Sequence, residues 1–174
     1  MTTLPPLTLI LGGARSGKSA RAESLIAGHG LPATYIATAE TYGDPEMIER
    51  IALHRARRGH AWRTVEAPLD LTEAIRASPA GEPILIDCLT LWLTNVMLDD
   101  SLDVALACQS LLETLSTHPG PLVCVMSEVG LGIVPDNALA RRFRDASGRL
   151  SQDLAAVAQR VEMVMAGLPL RLKG

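Results

Sequence analysis

The chain has 174 residues and a formal net charge of −3; 48% of its residues are hydrophobic, 20% are charged and 3% are aromatic. This length fits one domain with a continuous core, and the composition is that of an ordinary globular protein. The negative net charge and the low aromatic content argue against a nucleic-acid partner and disfavour a DNA-dependent ATPase.

The cysteines and the first residues give expectations about cellular location. Cys88, Cys108 and Cys124 are widely spaced and form no C-x-x-C motif, which indicates reduced thiols rather than a disulfide framework or a zinc site. Residues 1–11 contain no basic segment followed by a long apolar run, so we expect neither a signal peptide nor a membrane insertion. We therefore expect a cytoplasmic protein.

The first predicted strand and helix flank a glycine-rich motif. Residues 7–11 are apolar and predict a strand, and residues 16–27 predict a helix that ends at the following glycines. Between them, residues 12–19 have the G-x-x-x-x-G-K-S pattern of a phosphate-binding loop, in the strand–turn–helix context that the pattern requires. We therefore predict a protein that binds a nucleoside triphosphate.

The residue types of this loop explain how it would bind phosphate. Its glycines let the backbone adopt positive φ and approach the anion without a Cβ, while successive N–H groups face the phosphates. Lys18 would neutralise charge on the β- and γ-phosphates, and the Ser19 hydroxyl is placed to hold Mg²⁺. The predicted nucleotide-binding residues of the loop are Gly12, Gly13, Ala14, Arg15, Ser16, Gly17, Lys18 and Ser19.

A second strand and a basic helix follow. Residues 33–38 predict a buried strand, and residues 44–58 predict a helix that opens at an Asp-Pro pair. On this helix Arg50, His54 and Arg58 share one face, and neighbouring guanidinium groups would keep the His54 imidazole neutral and nucleophilic. The alternative is a solvated basic face that carries a surface histidine.

The middle of the chain predicts a strand over residues 62–66, a helix over 69–77 and a central parallel strand over 83–89. Asp87 follows an apolar run in this last strand. P-loop proteins place an aspartate at such a strand end, where it helps to hold Mg²⁺. The alternative is that Asp87 only caps the next helix.

The last part of the chain predicts helices over residues 90–97, 102–115 and 138–160, a strand over 122–127 and a closing hairpin over 161–166 and 170–173. We interpret residues 128–137 as an active-site loop whose glycines let a ligand approach closely. Strands that alternate with helices predict a single α/β domain over residues 1–174, with a largely parallel sheet. Ligands of such a sheet lie beyond the carboxyl ends of its strands.

The chain resembles the bifunctional adenosylcobinamide kinase/adenosylcobinamide-phosphate guanylyltransferase family of cobalamin biosynthesis. The resemblance is carried by separated blocks in register along nearly the whole chain, at residues 12–19, 35–39, 50–55, 62–66, 87–95, 128–135 and 140–145. It implies a RecA-like P-loop NTPase fold, with a mostly parallel sheet flanked by helices, that forms one kinase/guanylyltransferase domain. It also implies a homotrimer.

The resemblance further implies two reactions, with Mg²⁺ as cofactor and with ATP, GTP and the corrinoid adenosylcobinamide as substrates. The corrinoid hydroxyl is phosphorylated, and GMP then passes from GTP, through a guanylylated His54, to the corrinoid phosphate. The guanylylated histidine of the family falls on His54. The phosphate-loop motif and the strand-end aspartate make Lys18 the other predicted catalytic residue, and Ser19 and Asp87 the predicted metal ligands. The further nucleotide contacts fall on Thr38, Ala39, Glu40, Arg55, Arg57, Arg58, Glu66 and Asp87.

Two other classes of function stay open from the sequence. One is a monofunctional small-molecule kinase on the same fold, in which His54 is a surface residue. The other is a nucleotide-dependent assembly module without enzymatic activity. A switch GTPase is disfavoured because the sequence lacks the N-K-x-D motif that specifies guanine.

Overall fold

The computed structural model of the protein describes residues 3–30, 32–40 and 61–174. The predicted helix over residues 44–58 lies outside the described residues. The site predictions for His54, Arg55, Arg57 and Arg58 lie outside them as well.

The described residues form one mostly parallel sheet, as the sequence predicts. Its strands are β1 (Leu7–Gly12), β2 (Ala33–Ala37), β3 (Trp62–Glu66), β4 (Ile84–Asp87), β5 (Leu122–Ser127), β6 (Arg160–Met165) and β7 (Leu168–Lys173), in the order β3-β2-β4-β5-β1-β6-β7. In this spatial order, every neighbouring pair of strands is parallel except the last, in which β7 pairs antiparallel with β6. The turn between β6 and β7 has positive φ at Ala166 (52°) and Gly167 (79°), which is the conformation of a type I′ hairpin turn.

The helices of the described residues are α1 (Lys18–His29), α2 (Leu71–Ala77), α3 (Leu89–Leu98), α4 (Val104–Thr117) and α5 (Ala138–Val157). The α4 helix begins two residues later than predicted because the Asp103 carboxylate caps it, accepting hydrogen bonds from two first-turn amides. The α5 helix ends three residues earlier than predicted, since Gln159 already donates its N–H to the Leu7 carbonyl (3.0 Å) and Arg160 enters β6. No helix in the described part of the chain is long and apolar enough to cross a membrane.

The core lies on both faces of the sheet. Because side chains alternate along a strand, Leu9 packs into the cluster on one face and Ile10 into the cluster on the other. A strand that is covered on both faces has apolar side chains at nearly every position, which explains the apolar sequences of β1, β4 and β5.

The helices that follow β1 and β5 lie on opposite faces of the sheet. Ile26 of α1 packs into the cluster that contains Ile10, whereas Leu154 of α5 packs into the cluster that contains Leu9. Neighbouring strands whose connections leave toward opposite faces create a crevice at their carboxyl ends, and ligands of open α/β sheets bind in such a crevice. The fold therefore places the candidate site between the ends of β1 and β5.

Candidate nucleotide-binding site

The predicted phosphate-binding loop joins β1 to α1 inside this crevice. Gly17 has a φ of 95° and precedes α1 without a side-chain cap, so that no side chain blocks the first-turn N–H groups. Lys18 is buried, and its Nζ donates a hydrogen bond to the Gly13 carbonyl (3.1 Å). A helix N-terminus that lies open beside a lysine is suited to bind phosphate.

The β6–β7 hairpin supports the loop from the neighbouring strand. A Cβ on Gly12 would come within 2.7 Å of the Val164 carbonyl oxygen, and a Cβ on Gly17 within 3.2 Å of Gly167 Cα. The Gly167 N–H also donates a hydrogen bond to the Ser16 carbonyl (2.8 Å). Close packing therefore favours glycine at both positions, and the positive φ of Gly17 favours it there as well. No local pattern in the sequence indicates this contact between the hairpin and the loop.

The predicted metal ligand Asp87 is half-buried at the carboxyl end of β4. Its Oδ2 accepts a 3.0 Å hydrogen bond from the hydroxyl of Tyr35, a buried residue of the adjacent β2 strand. The other carboxylate oxygen, Oδ1, has no hydrogen-bond partner in the ranges that the structure describes. The carboxylate is thus held at Oδ2 by a neighbouring strand.

The structure brings Lys18 and Asp87 close to the same buried thiol. Burial raises the pKa of Cys88, the negative charge of Asp87 raises it further, and the positive charge of Lys18 lowers it. Both charges therefore act on one point at the edge of the sheet, although 69 positions separate them in the chain. Only β5 lies between β4 and β1, so Asp87 and the phosphate-binding loop lie at the same edge of the sheet.

Ser19 and Asp87 have the donor chemistry that Mg²⁺ requires. Magnesium prefers hard oxygen ligands and is commonly held by one or two protein groups together with phosphate oxygens and water. Ser19 has a hydroxyl in the first turn of α1, and Asp87 has a second carboxylate oxygen, Oδ1, besides the one that Tyr35 binds. These residues fit the ion.

A hydrogen-bond network fixes the predicted contact segment 38–40. The Thr38 hydroxyl donates to the Cys88 carbonyl (2.7 Å) and accepts from the Cys88 N–H (2.9 Å). Asn95 Nδ2 donates to the carbonyls of Thr38 and Pro68, each at 2.9 Å. The Thr38 N–H also donates to the Asp87 carbonyl (3.4 Å), so the hydroxyl and both backbone polar groups of Thr38 are bound inside the protein. A nucleotide at this segment would therefore meet half-buried Ala39 and Glu40. This role of Asn95 is not predictable from the sequence, because it depends on carbonyls 57 and 27 positions away in the chain.

Glu66 lies at the same edge but far from the loop. It pairs in register with Ala37, which pairs with Asp87, so the three residues form a row across β3, β2 and β4. Four strand spacings separate β3 from β1, or about 19 Å at 4.8 Å per strand. Glu66 is exposed. The contact between Glu66 and the nucleotide stays a prediction. Such a contact requires a ligand that extends along this edge of the sheet.

The end of β5 lies directly beside the phosphate-binding loop. Ser127 pairs in register with Gly12, and the Glu128 N–H donates to the Gly12 carbonyl (3.0 Å). The Thr90 hydroxyl accepts a 2.6 Å hydrogen bond from the Ser127 N–H and so fixes this strand end to α3. The loop over residues 128–137 consequently leaves the sheet next to the phosphate-binding residues.

Solved structures support the fold at low sequence identity. The chain is similar to a Pyrococcus horikoshii OT3 protein with a TM-score of 0.57, 9% identity and coverage of 99% of this chain and 88% of that chain. It is also similar to an ATPase of a bacterial type III secretion system, with a TM-score of 0.56, 10% identity and coverage of 95% and 56%. The fold and the loop together define a P-loop NTPase, as predicted.

The particular family follows from closer relatives. A model of the cobinamide kinase/cobinamide phosphate guanyltransferase family matches residues 8–172, and the chain belongs to this family. It is 52% identical over 168 residues to the bifunctional adenosylcobalamin biosynthesis protein CobP of Pseudomonas aeruginosa, covering 95% of this chain and 96% of that protein. It is 41% identical over 182 residues to the corresponding CobU protein of Escherichia coli, covering 96% and 99%. The predicted family is confirmed, and the bifunctional prediction is favoured over the monofunctional kinase.

Proposed function

We propose that this chain carries out both reactions of its family at one site. It would phosphorylate the side-chain hydroxyl of adenosylcobinamide with ATP or GTP. It would then transfer GMP from GTP to adenosylcobinamide phosphate, giving adenosylcobinamide-GDP. The observation that carries the proposal is the placement of buried Lys18 in the phosphate-binding loop and of half-buried Asp87 two strands away at the same edge of the sheet, in a chain that the family model matches over residues 8–172.

Phosphoryl transfer depends on positioning and on charge stabilisation rather than on a protein nucleophile. The N–H groups of residues 12–19 and the Lys18 ammonium would bind the β- and γ-phosphates and stabilise the charge that spreads during transfer. Ser19 and Asp87 would hold Mg²⁺, which neutralises phosphate charge when bound. Tyr35 keeps the Asp87 carboxylate oriented for this role.

Guanylyl transfer is proposed to use His54 as a covalent catalyst. The neutral imidazole would attack the α-phosphorus of GTP, forming a P–N bond as the bond to pyrophosphate breaks. An oxygen of the corrinoid phosphate would then attack the same phosphorus and release the histidine, so one displacement becomes two easier steps. Arg55, Arg57 and Arg58 would stabilise the phosphate charge, and Thr38–Glu40 and Glu66 would contact the nucleotide.

The proposal includes a cytoplasmic homotrimer without a nucleic-acid or membrane partner. An exposed edge strand with apolar side chains supports association between copies, because such a strand is usually covered. In β6 and β7 the exposed apolar residues are Met165, Leu168, Leu170 and Leu172. Light scattering coupled to gel filtration would give the mass of three chains if the homotrimer forms.

The covalent step is tested by incubation with GTP labelled at the α-phosphate, followed by denaturing electrophoresis. We expect label on the wild-type chain that is acid-labile and base-stable, and no label on His54→Ala. Phosphorylation of the corrinoid should continue in that variant, since it needs no histidine nucleophile. The matched control is His118→Ala, since His118 lies before β5 begins, at the opposite edge of the sheet.

Each other outcome points to a different function. Label that persists in His54→Ala would place the covalent bond on another residue. A wild-type chain that phosphorylates the corrinoid but takes no label would be a monofunctional kinase. A wild-type chain that binds nucleotide but turns over no corrinoid would support the assembly module.

A further inference from the structure

The loop over residues 128–137 exposes an unusual group of aliphatic side chains. Leu131 is 86% exposed, Ile133 97% and Val134 57%. Single exposed apolar residues are common on protein surfaces, but neighbouring ones that stay in water indicate a binding surface. The nucleotide chemistry described above uses none of these three side chains.

The loop is held in place by hydrogen bonds at both ends. Near its start, the Glu128 carboxylate accepts a hydrogen bond from the Gly130 N–H. Near its end, Arg141 Nη1 donates to the carbonyls of Pro135 (2.9 Å) and Asp136 (2.6 Å), and the Asn137 side chain caps α5. The aliphatic side chains are therefore presented to solvent by a braced loop.

The position of the loop connects these side chains to the phosphate site. The loop begins where the Glu128 N–H meets the Gly12 carbonyl, and it leads to α5 on one face of the sheet, whereas the phosphate-binding loop leads to α1 on the other. The two loops thus form opposite walls of the same crevice. A group that accepts the γ-phosphoryl must enter this crevice, because the phosphates are bound at its other wall.

The side chains of the loop offer an aliphatic contact surface without charge. Residues 129–135 read Val-Gly-Leu-Gly-Ile-Val-Pro and contain no ionisable side chain. Three aliphatic side chains also form a much smaller surface than a stable contact between proteins, which uses roughly 20–30 residues a side. A flat organic substrate is the better match in size.

We propose that Leu131, Ile133 and Val134 form a contact surface for the methyl-bearing corrin ring of the acceptor corrinoid. The corrin ring would lie on this wall of the crevice while its side-chain hydroxyl, and later its phosphate, reaches toward the phosphate-binding loop. This inference rests on the proposed function and deepens it, since it assigns the acceptor subsite.

The test is a double substitution, Leu131→Ser with Ile133→Ser, in the full chain. Binding of cobinamide is measured by calorimetry with the protein saturated by a non-hydrolysable GTP analogue, and the kinase KM for cobinamide is measured separately from kcat. We expect the cobinamide Kd and KM to rise by about tenfold or more, because burial of the two side chains contributes that much to binding. The effect on kcat should be small by comparison.

Leu106→Ser is the matched control, since Leu106 is also an exposed leucine (65%) but lies on α4. Its cobinamide Kd should equal that of the wild type. The nucleotide Kd and the thermal unfolding of each variant are recorded to show that it is folded.

The outcomes separate this inference from the proposed function. If the double variant binds cobinamide as tightly as the wild type does, the proposed acceptor surface is wrong, and the proposed function is unaffected. A double variant whose mass in light scattering falls would assign the loop to contacts between copies and would also overturn it. A wild-type chain that neither binds nor phosphorylates cobinamide would overturn the proposed function itself.

Discussion

The Tyr35 hydroxyl donates a 3.0 Å hydrogen bond to Oδ2 of Asp87, so that a buried side chain of β2 orients the carboxylate at the end of β4. The Tyr35 ring is itself fixed, because it packs edge-to-face against Trp62 with ring centroids 6.2 Å apart. If Asp87 binds a metal ion or its bound water, Oδ1 is the oxygen that Tyr35 does not occupy. The orientation of the Asp87 carboxylate is thus set by a residue from another strand.

Tyr35→Phe should weaken the response of the enzyme to Mg²⁺. The substitution keeps the ring and removes the donor, so the carboxylate loses its fixed orientation at a cost of about 1 kcal/mol in unfolding free energy. We expect the Mg²⁺ concentration that half-saturates nucleotide binding to rise several-fold. The measurement is fluorescence titration of a labelled nucleotide against Mg²⁺. An unchanged Mg²⁺ titration would show that Tyr35 acts only in stability.

Gly12→Ala and Gly13→Ala should differ sharply, although the two glycines are adjacent. A Cβ at position 12 would lie 2.7 Å from the Val164 carbonyl oxygen, whereas a Cβ at position 13 would meet nothing within 4 Å. Gly12→Ala should therefore destabilise the fold by about 1–3 kcal/mol, as overpacking does, and weaken nucleotide binding. Gly13→Ala serves as the control in thermal unfolding. Equal losses in both variants would contradict the packing argument.

Lys18→Ala should lower the kinase kcat by roughly 10²–10³-fold, the effect of removing one group that stabilises transition-state charge. Lys173→Ala is the matched control, because Lys18 and Lys173 are the only lysines of the chain. The Lys173 ammonium instead donates to the Ala155 and Ala156 carbonyls, at 2.8 and 2.9 Å, near the end of α5. The steady-state rate of cobinamide phosphorylation distinguishes the Lys18→Ala variant from the Lys173→Ala variant. An undiminished rate in Lys18→Ala would refute the catalytic role assigned to Lys18.

The Glu162 carboxylate should make the unfolding free energy of the protein fall as the pH becomes acidic. Its buried carboxylate accepts hydrogen bonds from Arg21 at 2.8 and 3.0 Å and from Arg171 at 3.3 Å. The Arg21 hydrogen bond is the main cause that lowers the pKa of Glu162. A lowered folded-state pKa gives stability that is present above the unfolded-state pKa, about 4.3, and is lost as the pH falls through the folded-state value.

Glu162→Gln should therefore lower the unfolding free energy at pH 7 by roughly 1.5–3 kcal/mol and flatten its decline below about pH 4. Denaturant unfolding at pH values from 7 to 3 measures both effects. A variant that follows the wild-type curve in acid would show that other carboxylates carry the acid dependence.

The amino-acid sequence by itself determined the class of fold and the position of the phosphate-binding loop. These features depend on local patterns: continuous apolar runs specify buried parallel strands, and G-x-x-x-x-G-K-S specifies the turn between β1 and α1. Spacing also placed Asp87 at a strand end, which the structure confirms. The start of α4 and the end of α5 were less well predicted. A side-chain cap decides where α4 begins, and pairing with β1 decides where α5 ends.

Only the tertiary structure decided which distant residues meet. The sequence does not state that β1 lies between β5 and β6, and that order brings Gly167 onto Ser16 and loop 128–137 beside Gly12. It also aligns Tyr35 with Asp87 across β2 and β4. Local patterns specify backbone conformation and burial, but contacts between strands depend on the order and register in which the sheet assembles, and those follow from packing of the whole chain.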